Sequence, residues 1–274
     1  MTRFAKPPVA EVALAAHFEP LTELMAPHLG ALWAKWSARF PRIEEHPELP
    51  RVPPELPQMR PVGLRIELVQ DVPHPRLWFL NDHGGELVQF QRDRLVHNWR
   101  RMTEEEPYPH YESLRPAFES DLRDLASFLD DQGLPPILPV QCELTYMNPI
   151  PAEDLGPKNA PLSALIGPWT DRYSDDFLPP AEQVAFRARY QITDGGGAWA
   201  GRLHVSAEPM LRQEEVKEVP EEVVMLQLFA RGRPLGEGIE GILAFLDLGH
   251  DWIVNGFASI TTRGMHERWG RSDD

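Results

Sequence analysis

The chain has 274 residues, of which 42% are hydrophobic and 25% charged, and its mean hydropathy is -0.38. These values exclude a mainly disordered or fibrous chain and leave ample sequence for a buried core. The formal charge is -15, and the acidic surplus lies wholly beyond residue 100, so the surface repels phosphate backbones and anionic lipid heads.

Residues 9–18 are rich in Val, Ala and Leu, end at Glu19-Pro20, and read as a first strand. Met25, Leu29, Leu32, Trp33, Trp36 and Phe40 then recur at helical steps, and Phe40-Pro41 stops that helix. Residues 41–75 hold nine prolines. The part from 41 to 62 is therefore neither a regular helix nor a central strand. It is expected to run extended over the surface, with Ile43, Leu49, Val52, Leu56 and Met59 as anchors. Four strand-like runs follow at 64–70, 76–80, 86–91 and 95–99. The turns between them, such as Asn81-Asp82-His83-Gly84-Gly85, predict an antiparallel meander. A second helix is predicted from about Tyr108 to Gln132. Its stripe is Tyr111, Leu114, Phe118, Leu122, Leu125 and Leu129, and Gly133 ends it.

The order then repeats. Residues 140–150 read as a strand, 162–169 as a loop with a short helix, 184–193 and 198–207 as a hairpin, and 223–231 as a further strand. From Gly238 toward Trp269 the apolar step is helical, which predicts one long helix or two halves broken near Gly249-His250. The pattern is α+β: two similar halves, 1–136 and 137–274, in one compact unit, each strand-helix-antiparallel meander-helix, with a loop for the first helix of the second half. In element order this is similar to the halves of the TATA-binding-protein fold and to helix-grip folds, which curl a sheet around a long helix. Fold analogy alone does not license function.

Four stretches carry a family resemblance: Lys6-Pro7-Pro8-Val9-Ala10-Glu11-Val12; Tyr108-Pro109-His110-Tyr111; 143–150 (Glu143-Leu144-Thr145-Tyr146-Met147-Asn148-Pro149-Ile150); and the tail from Gly249-His250-Asp251 through Phe257 to Trp269-Gly270-Arg271. In their order and spacing the chain resembles a sporadically distributed family of uncharacterised prokaryotic proteins of about this length. The resemblance spans nearly the whole chain and implies one full-length unit. It supplies no catalytic residue.

Tyr146 and Asn148 are two apart on a strand and face the same side, where they can line a sheet-floor cavity. His250 beside Gly249 is a candidate to orient a ligand group; His266 and Trp269 lie further along the tail. Trp33 and Trp36 on the first helix and the Pro-rich segment beside it are the candidate contacts for a protein partner. No histidine pair has the spacing that aims two imidazoles at one ion, which leaves only a set from distant strands such as His17, His97 and His204. Cys142, the one cysteine, stands in a strand and reads as a buried structural thiol. No phosphate loop, nucleophile motif or cofactor motif is present. No signal peptide and no apolar run of membrane-spanning length is found, so a cytoplasmic location is expected. The leading expectation is a non-enzymatic binding or adaptor protein working through protein contacts, with no nucleic-acid or membrane partner. The alternative is a small-molecule binder or enzyme with a pocket between a curved sheet and the long helix; a nucleic-acid-binding saddle is the third reading.

Overall fold

The computed structural model describes residues 2–58, 74–156, 162–170, 172–175, 177–179, 181–212 and 220–273. In chain order its elements are β1 (Thr2–Phe4), β2 (Glu11–Phe18), α1 (Ala26–Trp36), β3 (Arg42–His46), β4 (Arg76–Leu80), β5 (Glu86–Gln91), β6 (Arg94–Arg100) and α2 (Tyr111–Asp131). They continue with β7 (Pro139–Pro151), β8 (Phe186–Thr193), β9 (Trp199–Arg212), β10 (Glu221–Gly232), α3 (Gly238–Ile260), α4 (Arg263–Trp269) and β11 (Arg271–Asp273). The strand expected at 64–70 lies outside the described residues.

Among the described residues one nine-stranded sheet has the order β3-β4-β5-β6-β2-β7-β10-β9-β8, and every neighbouring pair is antiparallel. β2 and β7 meet at its middle, with Leu14 opposite Leu144. Alternation along β2 decides which face is covered. Val12, Leu14, Ala16 and Phe18 are buried toward the helices, and Ala13, Ala15 and His17 point to the other face. β7 follows the same rule with Cys142, Leu144, Tyr146, Asn148 and Ile150.

The helices occupy one face. α3 lies on β7, β10 and β9, α2 lies on β6 and beside α3, and α1 packs on α2. All six residues of the α2 stripe are buried, and Gly133 ends the helix at φ 66°. The tail departs from expectation. α3 passes unbroken through Gly249 and stops at Ile260; a separate α4 follows. The cause is a Thr pair. Thr261 is extended and bridges Ile166, while the Thr262 hydroxyl accepts from Met265 N–H and donates to the Ala164 carbonyl. Both residues are β-branched and spend their hydroxyls on backbone groups, which favours a helix end. The short helix expected at 162–169 is only a single 3-10 turn, Leu162–Ala164.

β1 and β11 form a second, two-stranded sheet that ties the first residues beside the last. β3 is a charged edge strand within the Pro-rich region, and it contains no proline itself. No helix among the described residues is long and apolar enough to cross a membrane.

Candidate functional site

The run Tyr108-Pro109-His110-Tyr111 leads the chain into α2. His110 takes φ 62° and ψ 156° there, the one positive φ at a non-glycine among the described residues. Such a conformation is costly for a residue with a Cβ and persists only where the surroundings fix it. The turn sets Tyr108 ahead of the helix and buries Tyr111 as its first residue. β7 supplies Tyr146 and Asn148 from its helix-facing side, and α3 supplies Asp247 and His250 one turn apart.

These side chains meet. The Tyr108 and Tyr146 hydroxyls lie 2.9 Å apart, and Tyr146 Oη lies 3.0 Å from His250 Nδ1. The Tyr111 ring stacks on the His250 imidazole at 4.2 Å and 9°. Tyr111 Oη donates to Asp247 Oδ1 at 2.8 Å, and Arg115 donates to both Asp247 oxygens at 3.1 and 3.2 Å. Asn148 Nδ2 donates to the Leu226 carbonyl at 3.0 Å. A cavity of about 720 Å³ opens over this floor, between the start of α2, the middle of α3 and the segment after β1. Phe4, Ile253 and Phe257 give it an apolar side; Tyr108, Tyr146 and His250 give it a polar one.

Burial governs the protonation of the site. It raises the phenols of Tyr108, Tyr111 and Tyr146 above their usual range, with donation to Asp247 adding to the effect at Tyr111. Burial also lowers His250, against the opposing pull of the Glu112, Asp251 and Asp247 carboxylates. The Tyr108–Tyr146–His250 chain is thus held neutral. Tyr146 has one proton, so it donates to His250 while accepting from Tyr108, or donates to Tyr108 while accepting from His250. Either way the chain can swap donor and acceptor ends to suit a ligand.

The expected site residues fall into three places. Tyr146, Asn148 and His250 line the cavity together. Trp269 and His266 stand just behind it. Trp269 packs on Phe257 at 4.9 Å and on Phe4 at 6.2 Å, and His266 Nε2 lies 2.8 Å from the Thr261 hydroxyl. Trp33 and Trp36 lie on α1, away from the cavity lining. Trp36 is fully buried and donates to Asp124 Oδ2, and half-buried Trp33 donates to the Phe40 carbonyl. His17 and His204 are on the helix-free face and His97 on the other, so these three cannot share an ion. Among the described residues no group of three or more His, Cys, Asp or Glu side chains is placed to hold a metal. Cys142 is fully buried, and burial pushes its thiol upward, away from thiolate.

Tyr108 was legible only in the stretch that carries the family resemblance, Tyr111 as an apolar stripe residue with no polar role, and Asp247 carried no signal. Their roles depend on the contact between α2 and α3, which neither helix's periodicity encodes. No family model matches the sequence, and no curated protein or solved structure matches it.

Proposed function

We propose that the protein is a cytoplasmic binding protein that takes a small, uncharged, partly aromatic molecule into the cavity between β7, α2 and α3. The observation that carries this reading is the neutral Tyr108–Tyr146–His250 chain on the cavity floor. A pocket of several hundred Å³ with an apolar wall and a few convergent polar groups is the usual form of a small-molecule site. All four stretches behind the family resemblance border it, through Pro7, Tyr108, Tyr146 and His250 among others, which supports a shared use of this cavity across that family. Binding without turnover fits side chains that are neutral donors and acceptors with no activated nucleophile beside them. We further read the two halves as a duplicated unit with the saddle-like element order. β2 and β7 pair at the centre, and the last strand of each meander, β6 or β10, returns beside its own first strand.

The test is retention of a ligand from cell extract, read by native mass spectrometry of the intact chain. The wild type is expected to retain a small molecule, and Tyr146→Phe and His250→Leu to weaken that binding at least ~10-fold, the loss of about one hydrogen bond. Equal retention by both variants, or no retained molecule from any extract, overturns the reading.

A further inference from the structure

Residues 47–58 cross the sheet face that carries no helix. Side chains, not strand pairing, hold this strap. Leu49 N–H donates to Gln91 Oε1 and Gln91 Nε2 donates to the Leu49 carbonyl, both at 2.9 Å. Arg94 Nη2 donates to the carbonyls of Leu49 at 3.4 Å and Pro50 at 2.8 Å. Further along, Glu55 N–H donates to Gln141 Oε1 at 2.7 Å. Arg202 donates to the carbonyls of Leu56 at 2.6 Å and Pro57 at 2.9 Å. The Glu55 carboxylate lies 2.6 Å from Arg202 Nη1 and 2.8 Å from His204 Nε2.

The strap contains one tetrapeptide twice, Pro47-Glu48-Leu49-Pro50 and Pro54-Glu55-Leu56-Pro57. In each copy the Leu and Pro carbonyls go to a single arginine, Arg94 or Arg202, and each arginine is 5% exposed. Gln91 and Gln141 are buried as deeply. Four buried polar side chains, spread from β5 to β9, thus read the backbone of an extended chain.

We propose that this face is a docking track for an extended, proline-rich peptide of Pro-Glu-Leu-Pro type from a partner protein, and that residues 47–58 fill it in cis. Backbone bonds supply register, and the Arg202–His204 pocket selects a carboxylate by opposite charge. Prolines suit such a track because they need no N–H partner and pre-form an extended chain. The hydrogen bonds from His204 and Arg202 outweigh the burial of Glu55 and hold its carboxyl at about 2, so the anchor is ionised at every working pH.

The strap is also held as a ligand is held, not as a core strand. Leu49 and Leu56 remain 40% and 41% exposed, and a cavity of about 240 Å³ persists between Leu49, Val52 and the sheet. Polar contacts therefore dominate its attachment, and these are the contacts a second peptide can reproduce. The track lies on the opposite face from the Tyr146–His250 cavity and does not depend on the small-molecule reading.

The experiment uses the full chain and a fluorescein-labelled peptide with the sequence of residues 46–58, read by fluorescence anisotropy. A tethered strap competes at an effective concentration of about 1 mM, so the wild type is expected to bind the peptide weakly. Glu55→Ala in the chain loosens the strap and is expected to tighten peptide binding at least ~10-fold, and adding Arg202→Gln to abolish the gain. A peptide with alanine in place of its second glutamate is expected to lose at least ~10-fold on the Glu55→Ala chain. Thermal melts establish folding, and Glu55→Gln replaces Glu55→Ala if the latter does not fold. Failure of the folded variant to bind below about 1 mM, or equal binding of the alanine peptide, overturns the proposal. A strap-exchanged dimer that excludes the peptide also overturns it, because the track then belongs to a second copy.

Discussion

His17 shows how one side chain ties stability to pH. It is 7% exposed on the helix-free face, beneath the strap. Burial lowers its pKa from 6.5 to about 4; Arg94 and Arg231 push the same way, and Glu143 and Asp93 oppose them. The unfolded chain takes up this proton near 6.5 and the folded chain only near 4. His17 therefore adds nothing to acid loss above about pH 6.5, and costs up to about 3 kcal/mol as pH falls through that window. Urea unfolding of wild type and His17→Gln between pH 7 and about 4.5 checks this: the wild type should lose more stability than the variant. Parallel pH slopes would acquit His17. Asp121 is a second buried group that the periodicity of α2 did not announce. It is fully buried, 2.7 Å from His97 Nδ1 and 2.7 Å from Arg39 Nη2. Asp121→Ala leaves His97 Nδ1 without its carboxylate partner and should cost about 1–3 kcal/mol in denaturant unfolding. The same scale bears on Trp33 and Trp36, of which the first is half-buried and the second fully buried. An apolar stripe at helical spacing looks alike whether it faces a partner or its own core, and here Leu32, Trp36 and Phe40 are buried in the core while Met25 is exposed.

At the scale of elements, what the sequence made legible follows its periodicity. α2, β7 and the β4–β6 meander stand close to their expected places, because each has a long enough apolar pattern to set one face inward. Phe118 and Leu122 are both fully buried, so truncation of either to alanine should cost roughly 2–5 kcal/mol, measured by chemical denaturation. A cost below about 1 kcal/mol at both would mean that the pocket around them collapses freely. β1, β3 and β11 were not legible. They have three to five residues each, and their partners are set by the folded chain. The prolines of 41–62 announced an extended path but not its destination, which depends on Gln91, Arg94 and Arg202 lying on distant strands. Glycine inside a helix lowers its intrinsic propensity. At Gly249 and Gly256 it also permits close approach: a Cβ there would lie 3.0 Å from Ala230 Cβ and 2.7 Å from Leu203 Cδ2.

At the scale of the molecule, one hydrophobic core joins the two ends of the sheet. It runs from Leu14 and Phe118 to Phe245 and Trp269 without a gap. The tail is part of it, since Ile253, Phe257 and Ile260 are buried. Deleting residues 250–274 should therefore expose the sheet beneath α3 and give aggregated protein; size-exclusion chromatography and calorimetry check this. A soluble truncation that melts cooperatively would mean that the tail is an appended arm. Among the described residues, both outer strands of the sheet carry charge. β3 is short and carries Arg42, Glu44 and Glu45, and β8 carries Arg187 and Arg189, so each edge offers charge to any chain that would pair with it.

The central pairing of β2 with β7 has a consequence for synthesis. β2 is made first and the whole of its partner β6 exists by residue 100, but the strand for its other edge, β7, is complete only when residue 151 has been translated. At roughly 5–20 residues per second, the nascent chain holds an open, apolar strand edge for about 3–10 seconds. That interval is when a ribosome-bound chain is most exposed to a neighbouring copy. Cooperative folding must wait for contacts of high sequence separation, so refolding of the full chain should be slow, as befits high contact order.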